Sequence, residues 1–341
     1  MLELRNISKY FNKNTPSQTI ALDDLNLQIK PKEFITVIGG NGAGKSTIMN
    51  IISGSTEPDK GMILLNDYDI TFMSEHKRAP YFGRVFQDPM SGTASDMSIL
   101  ENMTIAYGRG KLHSVFRWFM NKKDKEYFVE LLKTLDLGLE NRLTEKVGLL
   151  SGGQRQALTL LMATMRQRPS ERIIKRDYVR FSETDKSKAK EEVGKAFTDA
   201  KKERKNALKE LKASRLTKEE FKSKRDLINN EYKDKIYKFD LTKQILLLDE
   251  HTAALDPKTA QKVLDLTEKI VNENELTTVM VTHNMKDAIR YGNRLIMLSH
   301  GKIVVDVSGE EKKKLTVEQL LNMFQVASKD DTMSDSAILG D

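Results

Sequence analysis

The chain has 341 residues, 39% hydrophobic and 31% charged, enough apolar side chain for one large domain with additions or for two smaller ones. It contains no cysteine, which excludes a disulfide scaffold, zinc-finger chemistry and a thiolate nucleophile, and it has no apolar run near the roughly 18 residues a membrane-spanning helix requires. The formal charge of +7 is unevenly spread, because Ser170 to Gln244 holds 23 Lys and Arg against 15 Asp and Glu while the remainder holds 33 against 34.

The first residues, MLELRNISKY, lack an apolar signal-peptide core, so a cytoplasmic chain is expected. Apolar, β-branched runs then predict strands at Leu2 to Ile7, Ile20 to Ile29 and Phe34 to Ile38. The third leads into Gly39-Gly40-Asn41-Gly42-Ala43-Gly44-Lys45-Ser46-Thr47, which satisfies GxxxxGK(S/T), and a short amphipathic helix follows as far as Gly54. Strand, glycine loop and helix in that order let backbone N–H groups converge on phosphate oxygens at a helix N-terminus. Lys45 is placed for the β- and γ-phosphates, and the Ser46 hydroxyl for Mg²⁺. With a further strand at Met62 to Asp67, residues 1–88 form the β-rich and phosphate-loop part.

From Pro89 the pattern turns helical, through segments such as SILENMTIA and EYFVELLKTL, up to residue 169. Within it LLSGGQRQ, Leu149 to Gln156, opens an apolar helix expected to start near Gly153. Ser151, Gly152, Gly153 and Gln154 make a second candidate anion site, since glycines leave the first helical N–H groups bare.

Residues 170–244 carry two apolar stripes at helical spacing. Ala189, Val193, Ala196, Phe197, Ala200, Ala207, Leu208 and Leu211 mark the first; Phe221, Leu227, Ile228, Tyr232, Ile236 and Phe239 mark the second. Thr217 and Glu220 stand between them at capping-box spacing, so a break near Ser214 and a fresh helix are expected. The result is a charged helical hairpin with arms of about 30–40 Å. It reads either as a docking arm for a partner or for anionic lipid, or as a solvated hairpin with no partner.

Beyond it, Ile245 to Leu248 read as a buried strand ending in Asp249 and Glu250. A phosphate cradle needs a metal-organising acid on a neighbouring strand. Asp249 is placed to hold Mg²⁺ through its shell, and Glu250 to polarise the attacking water as general base. Asp256 caps a helix running from Pro257 to about Asn272. Strands at Thr277 to Val281, Leu295 to Leu298 and Ile303 to Val307 and a C-terminal helix complete residues 245–327, and residues 328–341 read as a frayed tail.

These motifs together resemble the ATPase subunit of ABC transporters. The Walker A loop lies at Gly39 to Ser46, the SGGQ signature at Ser151 to Gln154, the Walker B acids at Asp249 and Glu250, and an ALD loop at Ala254 to Asp256. The resemblance runs from about Met1 to Phe324 and is interrupted once, by the hairpin. It implies an α/β fold: a P-loop NTPase (RecA-like) core with an antiparallel β subdomain and a helical subdomain. It implies that Gln87, in RVFQDP, is the Q-loop glutamine that senses Mg²⁺ and the γ-phosphate, and that His283, in VMVTHN, is the switch histidine. Family spacing favours Phe11 over Tyr10 as the ring against adenine, with core packing the other use for Phe11.

The resemblance also answers why one chain carries two anion loops. In the family two subunits pack head to tail, and the Gly39 loop of one closes with the Ser151 loop of the other on one ATP. The implied partners are a second copy, integral-membrane permease subunits and an extracellular solute-binding protein, with the chain on the cytoplasmic face of the membrane and no nucleic acid expected. DNA-organising relatives also carry charged hairpins, but theirs separate Walker A from the signature, whereas here the hairpin follows it; translation-factor relatives carry two cassettes, and one is present here. A nucleic-acid-binding module acting through the basic hairpin is the non-enzyme alternative. His251, where most relatives have proline, and VSGEEKKKLTVEQLL resemble a bacterial importer subgroup linked to amino-acid uptake, including aromatic amino acids.

Overall fold

The protein's structure, a computed structural model, describes residues 2–107, 122–165, 175, 178–179, 186–214, 216–237, 245–324 and 326. The chain divides into two compact units, Met1–Leu64 with Asp69–Gln167 and Gln244–Asp341, and Leu65–Tyr68 with Arg168–Lys243.

Strands β1 (Leu2–Phe11), β2 (Thr19–Ile29), β4 (Lys60–Leu65) and β5 (Tyr68–Asp69) form a sheet in the order β2-β1-β4-β5. β1 and β2 pair antiparallel and alternate buried and exposed side chains along their middles, as a half-covered sheet requires. The strand expected to continue through Asp67 stops at Leu65. Asn66 and Asp67 both take left-handed backbone, at φ 47° and 62°, which makes them the two-residue turn into β5.

A second sheet has six strands, in the order β10-β9-β3-β8-β7-β6. Its members are β3 (Phe34–Gly39), β6 (Phe82–Val85), β7 (Ile245–Asp249), β8 (Thr277–Val281), β9 (Arg294–Ser299) and β10 (Lys302–Ser308). β3, β6, β7, β8 and β9 run parallel, and β10 returns antiparallel. FITVI, ILLL and TTVMV are buried almost throughout, as strands covered on both faces must be. One expectation changes. The acid-bearing β7 is not adjacent to the loop-bearing β3, because β8 lies between them and brings His283 to the same edge.

Helix α1 (Lys45–Ser53) follows the glycine loop. Its C-terminal end is tied down by Arg78, on the short helix α2 (Glu75–Arg78), which is 1% exposed. The guanidinium donates to the carbonyls of Ile51 at 2.7 Å and Ile52 at 2.9 Å, and to those of Ile70, Thr71 and Met73 at 2.5–2.9 Å. Five backbone acceptors thus stand in for a carboxylate. Burial pulls this guanidinium down to about 10, still far above neutrality.

The helical part contains α3 (Ile99–Tyr107), α4 (Lys122–Lys133) and α5 (Gly152–Thr164). Phe128, Leu132, Leu158 and Leu161 share one core with Leu246 and Leu248 of β7 and with Leu264 of α8 (Pro257–Glu273). Helices α9 (Met285–Arg290) and α10 (Gly309–Lys314) also belong to this unit, and residues 317–324 are helical.

The second unit contains α6 (Lys186–Ala213) and α7 (Lys218–Tyr237), with the break at Ser214 and the Thr217–Glu220 capping box both formed. Val193, Phe197 and Ala200 pack with Tyr232, and the Arg204 guanidinium stacks 4.8 Å from the Tyr232 ring. Leu227, expected in the packed stripe, is 60% exposed instead. Phe239, the side chain of Ile236 and the tail 328–341 lie outside the described residues.

His251 is buried, and its Nε2 lies 3.1 Å from Thr267 Oγ1 on α8. The Thr267 hydroxyl already donates to the Val263 carbonyl at 2.7 Å, so His251 Nε2 carries the proton and donates. Burial pushes the imidazole down from 6.5 to about 4, so it folds neutral.

Two predictions follow from these buried groups. Arg78→Met leaves the carbonyls without donors and should lower stability by about 3–5 kcal/mol in urea unfolding. For His251 the folded pKa lies below the unfolded one, so its contribution is intact above 6.5 and is lost as the pH falls towards 4. A His251→Asn chain should therefore lose about 3 kcal/mol less stability than the wild type across that interval, measured by unfolding at stepped pH.

Candidate active site

The C-terminal ends of β3, β6, β7 and β8 meet at one edge of the parallel sheet, where α/β folds gather ligands. The glycine loop after β3 turns back through Gly44, whose φ of +100° and clearance leave no room for a side chain: a Cβ there would lie 2.5 Å from the Ala21 carbonyl oxygen. The loop is also clamped from the far side, the Gly301 N–H donating to the Ala43 carbonyl at 3.2 Å. No side chain caps α1, so its first N–H groups face the loop. Lys45 is 6% exposed and donates to the carbonyls of Gly39 and Gly40, each at 2.9 Å. Burial lowers its pKa, while the charges of Glu250 and Asp249 push it back up. Ser46, Asn41 and Gly42 are exposed, and Thr47 is half-buried.

Asp249 and Glu250 stand at the end of β7. Glu250 adopts left-handed backbone at φ 45°, unusual for a residue with a Cβ, and its N–H donates to the Val281 carbonyl at 3.1 Å. This turn brings Glu250 Oε1 to 2.5 Å from His283 Nε2, across the end of β8. The carboxylate is nearly buried while the imidazole is half-exposed, so the pair has one open side. Asp249 Oδ2 accepts from Arg84 Nη2 at 3.3 Å.

Arg84 was not singled out from the sequence. Besides Asp249 it donates to Asn50 Oδ1 at 2.7 Å and Ser53 Oγ at 3.2 Å, and its guanidinium stacks 4.8 Å from the Phe86 ring. It thus links α1, the Asp249 strand and the segment entering Gln87, which is itself exposed just past β6. The available signal was a charged residue inside the otherwise apolar strand FGRV, where burial demands a partner.

The Ser151 loop belongs to a different neighbourhood. Ser151 caps α5, one residue earlier than expected, and its hydroxyl accepts from the Gln154 N–H at 3.3 Å while Gln154 Oε1 accepts from the Ser151 N–H at 3.2 Å. A Cβ on Gly153 would lie 2.3 Å from Thr259 Cγ2, and one on Gly152 3.2 Å from Leu255. The signature loop is therefore seated on the ALD loop and the start of α8. Asp256 caps that helix, accepting from the Thr259 N–H at 3.1 Å, and Thr259 holds its carboxyl below the usual range. Phe11 is 43% exposed at the end of β1, with Lys9 Nζ 5.7 Å from its ring centre; Tyr10 is half-buried.

A buried ammonium that meets only carbonyls, next to an uncapped helix N-terminus, fits a polyphosphate. Among the described residues no three His, Asp or Glu side chains form a self-sufficient metal site. The Asp249 carboxylate and the exposed Ser46 hydroxyl are hard oxygen donors of the kind Mg²⁺ takes together with the phosphate oxygens of its substrate.

The chain is similar to known proteins. Residues 22–171 match the ABC transporter family. The chain is 35% identical over 327 residues to the tyrosine transport ATP-binding protein of Clostridioides difficile (strain R20291), covering 96% of this chain and 100% of that protein. It is 25% identical over 324 residues to the phosphonates import ATP-binding protein PhnC of Lactococcus lactis subsp. cremoris (strain SK11), covering 94% and 98%. Its fold is similar to that of a dimeric post-hydrolysis ATP-binding cassette bound to ADP and Pi, with a TM-score of 0.57, 24% identity, and coverage of 90% of this chain and 98% of that one. With a transport ATP-binding protein aligned along nearly its whole length, the chain belongs to the ABC transporter family as an ATP-binding subunit that hydrolyses ATP to power transport.

Proposed function

We propose that two copies of this chain, closing head to tail on two ATP molecules, drive import of a small solute, an aromatic amino acid, through separate permease subunits at the cytoplasmic face of the membrane, with an extracellular solute-binding protein delivering it. The observation that carries the two-copy reading is that the Ser151 loop, with Ser151 exposed, is seated on Leu255 and Thr259 of its own chain, whereas the Gly39–Gly44 loop meets Ala21, Leu298 and Gly301. Each loop then presents half of an anion site. The amino-acid reading is supported by the tyrosine transport relative.

In this reading Lys45 and the first N–H groups of α1 hold the β- and γ-phosphates, with Gly39, Asn41, Gly42, Ala43, Gly44 and Thr47 shaping the cradle. Phe11 offers an exposed ring for adenine to stack on. Ser46, Gln87 and Asp249 are the residues that would hold Mg²⁺, which when bound neutralises charge on the phosphate oxygens. Glu250 Oε1 takes a proton from the attacking water as its oxygen bonds to the γ-phosphorus and the bond to the β–γ bridging oxygen breaks. His283 Nε2 holds that carboxylate in place. Ser151, Gly152, Gly153 and Gln154 of the second copy close the far side, and Asp256 anchors the loop beneath them.

Glu250→Gln keeps the hydrogen-bonding shape but removes the base, so turnover should fall about 10²–10⁴-fold while ATP binding persists and an ATP-bound dimer accumulates in sedimentation. Shared sites make a second test. Lys45→Ala and Ser151→Arg should each be inactive alone, yet mixing them restores one complete site per mixed dimer and about a quarter of wild-type ATPase activity. Mixtures as inactive as their components would refute the head-to-tail arrangement.

A further inference from the structure

Helix α6 has two distinct sides. Ala189, Val193, Phe197, Ala200 and Leu211 are its buried residues, and Val193, Phe197 and Ala200 meet Tyr232 of α7. At about 100° per residue, a step of seven residues falls only about 20° short of two turns. Lys188, Lys195, Lys202 and Lys209 therefore stand in a row on the side opposite the packed stripe, and all four are exposed. Lys205 and Lys212, also exposed, widen the row on one flank, and Glu191 is the one carboxylate within it. On the other flank Asp199 and Glu210 are exposed as well, while Glu203 pairs with Lys235 of α7 and Glu192 accepts from the Tyr178 hydroxyl at 3.0 Å. This side of α6 thus presents six exposed lysines, with Glu191 among them and Asp199 at its edge.

We propose that this lysine row docks on the anionic headgroups of a membrane. The row is straight and runs for roughly 32 Å from Lys188 to Lys209. A flat, continuous field of negative charge can meet Lys195, Lys202 and Lys209 at once, each keeping its ammonium in the headgroup layer. The phosphate strands of a duplex wind around its axis, so a straight row meets them only where they cross it, and the row carries no arginine fork or aromatic ring of the kind that grips or stacks nucleotides. It carries no large apolar side chain either, so attachment is electrostatic and salt-sensitive. This inference rests on the reading that the chain works against a membrane, but lipid contact and permease assembly are separate interactions.

The test is flotation of the purified full-length chain, without permease, with vesicles of phosphatidylcholine alone or enriched in phosphatidylglycerol. Lys195→Gln, Lys202→Gln and Lys209→Gln are combined in one chain and compared with Lys190→Gln, Lys222→Gln and Lys224→Gln, which remove the same charge from exposed positions off the row. Glutamine matches lysine in helix propensity, so both triples should keep α6 and α7 folded, checked by circular dichroism and ATPase rate. At about fivefold in partitioning per lysine, the first triple should lose on the order of a hundredfold in binding to phosphatidylglycerol vesicles, and the second far less. Equal losses would reduce the effect to net charge and overturn the row as a site, as would unchanged binding in the first triple. Absence of wild-type binding to the charged vesicles, or capture of a duplex oligonucleotide in preference to them, would also overturn it. Failure to copurify with a permease alongside intact vesicle binding would instead fall on the transport reading alone.

Discussion

Keeping one ammonium charged while it is buried is the constraint around which this molecule is built. Lys45 has left water, and removing an ammonium from water is costly unless something answers the charge. The glycine loop answers it at close range with two carbonyls, and the acids at the end of β7 answer it at longer range. The carbonyl response leaves the positive charge in place, because carbonyl dipoles do not neutralise it, while the two carboxylates offset its field from further away. The loop therefore holds a preorganised cation at a helix N-terminus. Such a site favours a polyanionic substrate, and the work of organising it is done during folding.

The same device recurs away from the substrate. Arg78 is surrounded by carbonyls from α1 and from the segment before α2, and the Nζ of Lys312 donates to the carbonyls of Tyr291 and Gly292. These buried cations act as fasteners: each satisfies backbone acceptors that a helix end or a turn would otherwise leave bare. Arg84 differs in reaching a carboxylate, and that carboxylate is Asp249, the residue proposed to hold Mg²⁺. The P-loop helix, the Walker B strand and the approach to Gln87 are consequently joined through one guanidinium, so displacement of any one of them is felt by the other two.

The hairpin follows another logic. Its packed stripe is narrow, and cation–aromatic contacts of Lys175 on Phe197 and Arg204 on Tyr232 supplement the burial. Long basic side chains cover apolar rings with their stems while their charged ends stay wet. That economy leaves the opposite face of α6 free to concentrate lysine, whereas the cassette itself is close to neutral.

Much was legible in the sequence because local physics fixed it. Parallel strands covered on both faces must be apolar throughout, so β3, β7 and β8 could be read almost to the residue, and the Asp256 and Thr217 caps announced themselves by side chains that accept helix N–H groups. What could not be read depends on residues distant along the chain. Leu227 looked like a packed residue, yet helical periodicity does not say how wide a stripe the partner covers. Asn66 and Asp67 looked like the end of a strand, and only the return into β5 turned them left-handed. Composition and motif determined that this chain would build a phosphate cradle with acids at the edge of a sheet. Only the tertiary structure decided that β8 stands between β3 and β7, that His283 meets Glu250, and that Arg84 meets Asp249, because strand order and side-chain pairing are set by packing among segments that sequence spacing leaves unrelated.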